Sequence, residues 1–330
     1  MKGLALFAFC LSLSLLACSG RQSQPVASAR PEAQQVPPVS FSADSAFEYL
    51  ERQVEFGPRI PGSKAHADCL DYMVEVLSRF GATVFVQEGV GLAYDGKEEP
   101  VRNVIASFFP EKADRVLLAA HWDCRPFADH DPDPAKQNLP VDGANDGASG
   151  VAVLMEVGRQ LAIKPSNVGV DIVLFDCEDG GTPDHIKVEY RPDTWCVGSQ
   201  LWVKSDLGRN AQHRFGILLD MIGAPDAVFP VELYSKANCP DIVEKVWKMA
   251  DRIGYGGLFT NDDGGFITDD HYYVNKFTSV PMVDIIHYDR ASPNGFCKAW
   301  HTHADNPSNI SKKSLAAVGE VVLSVIYAEH

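Results

Sequence analysis

The 330-residue sequence has few basic residues for its size. It contains 29 Lys and Arg against 44 Asp and Glu, which gives a formal net charge of −15 at pH 7. Because nucleic-acid-binding domains present a basic face to phosphate, this balance argues against nucleic acid as a partner. The eight cysteines include no CxxC pair, which argues against a zinc-thiolate site. After the N-terminal twenty residues, the sequence also lacks an apolar run long enough to cross a bilayer.

The N-terminal segment has the features of an export signal. A Lys, an apolar stretch and the tetrapeptide "LLAC" follow one another in "MKGLALFAFCLSLSLLACSG". The tetrapeptide resembles the lipobox of bacterial lipoproteins, in which the Cys is acylated and becomes the new N-terminus. We therefore predict a signal peptide over residues 1–17 and membrane attachment through a lipidated Cys18. A secreted protein in which Cys18 is incidental is the alternative.

A flexible tether is predicted between the lipid anchor and the folded part of the chain. Residues 18–42 lack hydrophobic periodicity and are rich in Ser, Pro, Gln and Ala. Ser19 favours the outer membrane by analogy with enteric lipoproteins, so the predicted location is the periplasmic side of that membrane or the cell surface. Residues 43–330 are left for one domain. The sequence does not decide how the six cysteines of this domain pair.

The domain alternates between helical and strand patterns. Helical spacing of apolar residues occurs around residues 70–77, 243–253 and 315–326. The runs "RVLLAA", "VDIVLF", "FGILLD" and "VPMVDII" are short and almost wholly apolar, as in parallel strands covered on both faces. The segments "ATVFVQ" and "RNVIASF" predict antiparallel edge strands. The predicted fold is therefore α/β: a three-layer α/β/α sandwich with a mixed, mainly parallel central sheet.

Acidic and imidazole side chains follow three of these strands at the point where each strand ends. The residues are His121 and Asp123 after "RVLLAA", Asp176, Glu178 and Asp179 after "VDIVLF", and Asp220 after "FGILL". Ligands of open α/β sheets bind at the carboxyl ends of the strands. Because scattered surface acids would not follow the strand ends so regularly, the pattern predicts a functional site at this edge.

Several carboxylates at one sheet edge repel one another unless a cation lies among them, and the accompanying imidazoles favour zinc. The candidate ligands are His121, Asp146 in "DGANDGASG", Glu178 or Asp179, Asp220, and His301 in "WHTHADN". Each has an ordinary structural explanation. Asp146 is a suitable helix N-cap, Glu178 and Asp179 suit a polar turn before two glycines, and His301 or His303 alone suits the surface. Together these explanations would require several coincidences.

The same segments resemble the zinc-aminopeptidase superfamily and, within it, the glutaminyl-peptide cyclotransferases (glutaminyl cyclases). The matching segments, in order, are "GPRIPGS", "RNVIASF", "HWD", "FDCED", "LLDMIGAP", "TDDH" and "AWHTHADN". The resemblance covers residues 45–330. "LLDMIGAP", "TDDH" and "WHT" are the specific segments, whereas "HWD" alone indicates only the superfamily.

The resemblance implies one zinc ion per chain, held by Asp146, Asp179 and His301. Asp179 stands where many relatives have Glu and is shorter by one methylene, so its loop must approach the metal more closely. The neighbouring Glu178 resembles the proton shuttle of the family. Of the two histidines in "WHTH", the family pattern favours His301 over His303 as the ligand.

The resemblance also implies roles for further residues of the pocket. Asp220 and Asp270 resemble the hydrogen-bonding acids of the family. Trp300 resembles the aromatic wall of the substrate pocket, with Phe296 lining it and Tyr190 at its rim. Trp195 is expected to pack in the core or at the surface instead.

The implied reaction is intramolecular. The α-amine of an N-terminal glutamine, in a peptide or protein substrate, attacks its own γ-amide carbon, and pyroglutamate and ammonia are formed. Glu178 carries the proton, and burial in an apolar pocket would raise its pKa as this role requires.

Two other functions remain open. A two-zinc aminopeptidase is possible because His121, Asp146, Asp179, Asp220 and His301 occur in suitable order, with Glu178 as the base of a metal-activated water. A surface lipoprotein that binds peptides without catalysis is the second alternative, although such a protein has no use for an unligated Glu178. The sequence does not indicate the oligomeric state.

Overall fold

The computed structural model describes Met1 and residues 39–330. The predicted signal peptide, Cys18 and most of the predicted tether lie outside the described residues. Helix α1 begins at Ala43, where the predicted domain begins, and the two residues before it already contact the domain. Phe41 packs against the core, and Ser42 caps α1 by accepting a hydrogen bond from the Ser45 amide. No described helix is both long and apolar enough to cross a membrane.

A six-stranded sheet with the order β1-β2-β4-β3-β5-β8 forms the middle layer. β1 pairs antiparallel with β2 and β2 with β4, whereas the β4-β3, β3-β5 and β5-β8 pairs are parallel. β6 and β7 form a separate two-stranded parallel sheet. The strands are β1 (Thr83–Leu92), β2 (Glu98–Phe108), β3 (Arg115–His121), β4 (Gly169–Phe175), β5 (Gly216–Asp220), β6 (Phe229–Val231), β7 (Phe259–Asp263) and β8 (Met282–Ile286).

The described residues form nine α-helices and two short 3-10 helices, Pro192–Thr194 and Pro307–Asn309. The α-helices are α1 (Ala43–Glu55), α2 (Lys64–Arg79), α3 (Ala148–Ile163), α4 (Val197–Lys204), α5 (Asp206–Arg209), α6 (Leu233–Asn238), α7 (Pro240–Arg252), α8 (Asp270–Phe277) and α9 (Lys312–Ala328).

Helices cover both faces of the sheet, because successive side chains of a strand point to opposite faces. Leu118 of β3 belongs to the larger core cluster, with residues of α2, α3, α7 and α9. Its neighbour Leu117 belongs to a second cluster with Trp202 of α4 and Val274 of α8. Helix α3 lies so close to the sheet that a Cβ at Gly150 would be 2.3 Å from the Leu219 carbonyl oxygen.

The predicted fold class is confirmed. The four apolar runs form β3, β4, β5 and β8, and the two segments predicted as antiparallel edge strands form β1 and β2. Only β1 is at the edge, because β2 pairs with β4 as well as with β1. The three segments with helical spacing lie in α2, α7 and α9. β4 ends at Phe175 as predicted, β3 ends at His121, one residue after the run "RVLLAA", and β5 ends at Asp220, the last residue of "FGILLD". The loops after these strands therefore meet at the carboxyl edge of the sheet.

Candidate active site

A cavity of about 460 Å³ opens at the carboxyl edge of the sheet. Eight of the nine site residues predicted within the domain line it, and Asp270 does not. The eight are Asp146, Glu178, Asp179, Tyr190, Asp220, Phe296, Trp300 and His301.

The three predicted metal ligands lie together. One ligand atom from each of Asp146, Asp179 and His301 is within 4.8 Å of the other two. His301 Nε2 is 3.2 Å from Asp179 Oδ1 and 3.6 Å from Asp146 Oδ2. All three side chains are buried.

More distant carboxylates fix the loops that carry these ligands by accepting hydrogen bonds from the loop backbone. Asp305 accepts hydrogen bonds from the Asn145 and Asp146 amides at 2.6 and 3.0 Å. Asp123 accepts from the Glu178 and Asp179 amides at 3.0 and 3.1 Å. These roles of Asp123 and Asp305 do not follow from the sequence, because each depends on a contact with a distant loop.

The donor set fits a divalent cation. Asp179 Oδ2 is buried and has no hydrogen-bond partner within the described part of the chain. It belongs to a carboxylate that faces an imidazole nitrogen and a second carboxylate. Because a buried, unpaired carboxylate oxygen is unfavourable, a bound cation would relieve this arrangement. Mixed oxygen and imidazole ligands are typical of zinc sites.

A second group that could hold a metal shares one residue with the first. His121 Nε2 lies 3.0 Å from Asp146 Oδ1 and 3.1 Å from Asp220 Oδ1, and all three residues are buried. Burial opposes protonation of His121, but contacts with Asp123, Asp146 and Asp220 outweigh it and raise the pKa of the imidazole well above its usual value. A protonated His121 would offset part of the negative charge of the two carboxylates on this side of the cavity.

Glu178 is close to the metal ligands without belonging to their group. Its side chain is partly buried and lines the cavity, whereas the adjacent Asp179 contacts His301. Burial raises the pKa of Glu178 well above its usual value; His121 opposes this shift, and Asp269 and Asp179 add to it. The Cys196 thiol donates a hydrogen bond to Glu178 Oε1 at 3.2 Å.

In "TDDH", the structure places the two aspartates in different surroundings. Asp269, not Asp270, lines the cavity, and Asp269 forms a close group with Glu178 and Cys196. Asp270 is fully buried behind the cavity wall, and neither of its carboxylate oxygens has a hydrogen-bond partner within the described part of the chain. The reason is local: Asp269 is the N-cap of α8 and Asp270 its first residue, so the two adjacent side chains leave the backbone in different directions.

Aromatic side chains form one wall of the cavity. The Trp300 ring stacks on His301 with 3.6 Å between centroids, and Phe296 lies 4.5 Å from Trp300. Tyr190 is at the rim, with 64% of its surface exposed. Trp195 also lines the cavity, so the expectation that it packs elsewhere is wrong.

Left-handed backbone conformations concentrate around the cavity. Five non-glycine residues in the described part of the chain have positive φ, and four of them are in or beside the site. They are Cys177 before Glu178, Cys196 against Glu178, Met221 after Asp220, and His301 itself. Such conformations are unfavourable by roughly 1–3 kcal/mol each and persist where surrounding packing enforces them.

Comparison with known proteins agrees with this geometry. The family model described as peptidase family M28 matches residues 103–326. A glutaminyl cyclase from Tannerella forsythia is 50% identical, with a TM-score of 0.86 over 88% of this chain and 100% of that chain. A Zn-dependent exopeptidase from Parabacteroides distasonis is 49% identical, with a TM-score of 0.86 over 89% of this chain and 100% of that chain.

Among curated proteins, the glutaminyl-peptide cyclotransferase of Boiga dendrophila is 23% identical over 69% of this chain. This chain spans 65% of the length of that relative. The fold is thus that of the zinc-exopeptidase-like α/β proteins. The chain belongs to peptidase family M28, and its predicted resemblance to the glutaminyl cyclases within that family is confirmed.

Proposed function

We propose that this protein is a zinc-dependent glutaminyl-peptide cyclotransferase, which converts N-terminal glutaminyl residues of peptides and proteins to pyroglutamate and releases ammonia. The observation that carries the proposal is the position of Glu178. It is a carboxylate outside the metal-ligand group, beside it in the chain, facing the cavity and with a raised pKa. Similarity to glutaminyl cyclases supports the same assignment.

One zinc ion per chain is proposed, held by Asp146, Asp179 and His301. The bound ion would polarise the γ-carbonyl of the substrate glutamine and stabilise the negative charge that develops on its oxygen. The short Asp179 side chain reaches His301 because Asp123 holds the backbone of its loop at the cavity floor.

Glu178 is proposed to move the proton. In its ionised form it accepts a proton from the attacking α-amine as the bond between this nitrogen and the γ-carbon forms. It then donates that proton to the amide nitrogen as the γ C–N bond breaks and ammonia leaves. A pKa raised by burial brings the two forms of Glu178 closer in free energy near neutral pH.

The cavity walls suit an N-terminal glutamine. Asp269 and Asp220 present carboxylates that can accept hydrogen bonds from its α-amine, and the rings of Trp300 and Phe296 provide an apolar surface for its methylene groups. The nucleophile is part of the substrate, so a positioned water is not needed. Holding amine and amide carbon in contact accelerates ring closure by proximity.

A two-metal aminopeptidase is the second candidate, because His121, Asp146 and Asp220 also form a group able to hold a metal. In that case Glu178 would activate a water. His121 Nε2 lies 3.0 and 3.1 Å from the two acids, distances that suit an imidazole hydrogen-bonded to a carboxylate as well as two ligands of one ion. Metal analysis of the purified chain separates the two: one zinc per chain supports the cyclotransferase, and two per chain support the aminopeptidase.

We also propose that the protein is exported and attached to a bacterial membrane through a lipidated Cys18. The support is the "LLAC" tetrapeptide after an apolar stretch. Labelling of cells with a radioactive fatty acid tests this, since a Cys18→Ser chain should lose the label.

The decisive test of function uses two substrates. Purified protein is incubated with a peptide beginning with glutamine and, separately, with an aminoacyl anilide. We expect ammonia release and ring closure on the first and no hydrolysis of the second. Hydrolysis of the anilide without ring closure of the peptide would contradict the cyclotransferase and support the aminopeptidase. If the zinc-loaded chain were inactive on both substrates, a peptide-binding protein would be supported.

A further inference from the structure

Arg125 is a buried cation next to the candidate metal site, and the reaction proposed above does not use it. Only 1% of its surface is exposed, although it carries a full positive charge. It lies in the loop after β3, in "HWDCRPF", and its guanidinium stacks 4.7 Å from the ring of Trp195. A buried guanidinium persists only when its donors are paired.

The donors of Arg125 reach two separate segments. Nε and Nη2 donate to the two oxygens of Asp129 at 3.1 and 2.6 Å, a forked geometry that only Arg provides. Nη1 donates to the carbonyl oxygens of Asp179 and Gly181 at 2.9 and 3.1 Å, and it lies 3.6 Å from Asp179 Oδ1. One side chain thus contacts a candidate metal ligand directly.

Asp129 extends the contact to a second ligand. Its Oδ1 is 3.2 Å from His301 Nδ1, on the side of the imidazole opposite the candidate metal site. This contact does not meet hydrogen-bond geometry at Nδ1. A carboxylate this close nevertheless favours the proton on Nδ1 electrostatically, which leaves Nε2 free to bind a metal. Asp146, the third ligand residue, is instead held through its amide by Asp305.

We infer that Arg125 and Asp129 together form a positioning unit that sets the relative placement of Asp179 and His301, and thereby the affinity of the site for zinc. Arg125 is not a catalytic residue, because it acts through Asp179 and through Asp129. The inference rests on the proposed zinc site.

A matched control exists at the opposite edge of the sheet. Arg115 donates to the two oxygens of Asp171 at 2.7 and 2.6 Å, and His213 Nε2 is 2.8 Å from Asp171 Oδ2. This group has the same three residue types, is also mostly buried, and contacts none of the candidate metal ligands.

The test measures the zinc dissociation constant of the full chain by competition with a chelator, together with the unfolding midpoint of the metal-free form. We expect Arg125→Met and Asp129→Asn to weaken zinc binding about 10–100-fold. Arg125→Lys should give an intermediate loss because it keeps the charge but not the fork. Arg115→Met should lower the unfolding midpoint while changing the zinc dissociation constant less than twofold. Saturating zinc should restore much of the activity of Arg125→Met.

The outcomes separate this inference from the proposed function. If the unaltered chain does not bind zinc, the proposed function fails. If it binds zinc and both Arg125→Lys and Asp129→Asn bind it as tightly, the positioning unit is overturned. An equal loss of affinity in Arg115→Met would also overturn it, because the effect would then follow stability alone. Should Arg125→Met fail to fold, Arg125→Lys and Asp129→Asn decide the question.

Discussion

Two Arg-Asp-His groups lie at opposite edges of the central sheet, and they differ in what their histidine faces. At the amino edge, Arg115 donates hydrogen bonds to both carboxylate oxygens of Asp171, and His213 contacts the same carboxylate. At the carboxyl edge, Asp129 stands in the same relation to Arg125, but His301 also faces two further carboxylates. The first group balances its own charges, whereas the second is surrounded by acids that it cannot neutralise.

Asp171 and Glu178, one acid from each edge, differ in the direction of their pKa shifts. Burial would raise the pKa of Asp171, but hydrogen bonds from His213 and Arg115 outweigh it and hold the pKa below its usual range. Burial raises the pKa of Glu178 well above its usual value, and neighbouring acids contribute to the shift. The same residue types are structural where charge is balanced and available for binding a cation where negative charge is in excess.

The largest expected effect is a loss of catalysis when an acid of the carboxyl edge is changed, with no such loss at the amino edge. Glu178→Gln keeps the shape of the side chain but removes the proton carrier, so kcat for ring closure should fall by about 10²–10⁴-fold. The control Asp171→Asn at the other edge should leave kcat per folded molecule unchanged. Steady-state ammonia release measures both. Unaltered ammonia release by Glu178→Gln would remove Glu178 from the mechanism.

Removal of zinc should lower the free energy of unfolding, and this effect should depend on residues of the carboxyl edge only. Zinc at a thousand times its dissociation constant should stabilise the folded chain by about 4 kcal/mol over the metal-free form. Urea unfolding with and without a chelator gives this difference. Arg115→Met should show the same zinc-dependent increment as the unaltered chain, and Asp179→Asn should show much less. If Asp179→Asn showed the same zinc-dependent increase in the free energy of unfolding, the metal site would have to lie elsewhere.

At the amino edge, the expected effect is on stability. Arg115→Met leaves the Asp171 carboxylate buried without its partner and should lower the free energy of unfolding by about 3–5 kcal/mol. Replacing both residues, as in Arg115→Met with Asp171→Leu, should recover most of the loss. Urea titration measures the free energy, and ring closure per folded molecule should remain unchanged. A double variant as unstable as the single one would show that the pair acts through more than its charges.

Acid should destabilise the metal-free chain through Asp171. Because its folded pKa is below the unfolded value of about 3.9, its contribution is present above about pH 4 and is lost as pH falls further. Asp171→Asn should therefore lose less stability than the unaltered chain between about pH 4 and pH 2. Urea midpoints across this range test the sign. Parallel losses in the two proteins would contradict it.

The smallest effect concerns the histidine two positions after His301. His303 Nδ1 is 2.8 Å from Asp131 Oδ2, and the ring is partly exposed, away from the ligand group. His303→Gln should change the zinc dissociation constant less than twofold, whereas His301→Gln should abolish tight binding. A large loss of zinc affinity in His303→Gln would indicate His303, and not His301, as the metal ligand.

The fold and the neighbourhood of the site could be predicted because they depend on local patterns. Apolar runs defined β3, β4, β5 and β8, and parallel strands bring the residues after their ends to one edge. This was sufficient to bring His121, Glu178, Asp179 and Asp220 together. Asp146 and His301 follow no recognisable strand. They were candidate ligands because of their residue types and neighbouring segments, and the resemblance to a known family then selected them as ligands.

The rest could not be predicted because it depends on contacts between distant segments or on a single backbone position. Asp269 and Asp270 are identical neighbours, and only the start of α8 decides which faces the cavity. Arg125 and Asp129 are four residues apart in a polar loop, as in many exposed ion pairs. Their role depends on Asp179 and His301, which are far away in the sequence.

The left-handed backbone at Cys177, Cys196, Met221 and His301 has a consequence for variants far from the cavity. None of these loops would hold such conformations alone, so the whole core maintains the shape of the pocket. Heating or a distant destabilising substitution should therefore let these loops relax before the sheet melts. Catalytic competence would then be lost at a lower temperature than secondary structure, and thermal inactivation would be a sensitive reporter of core packing.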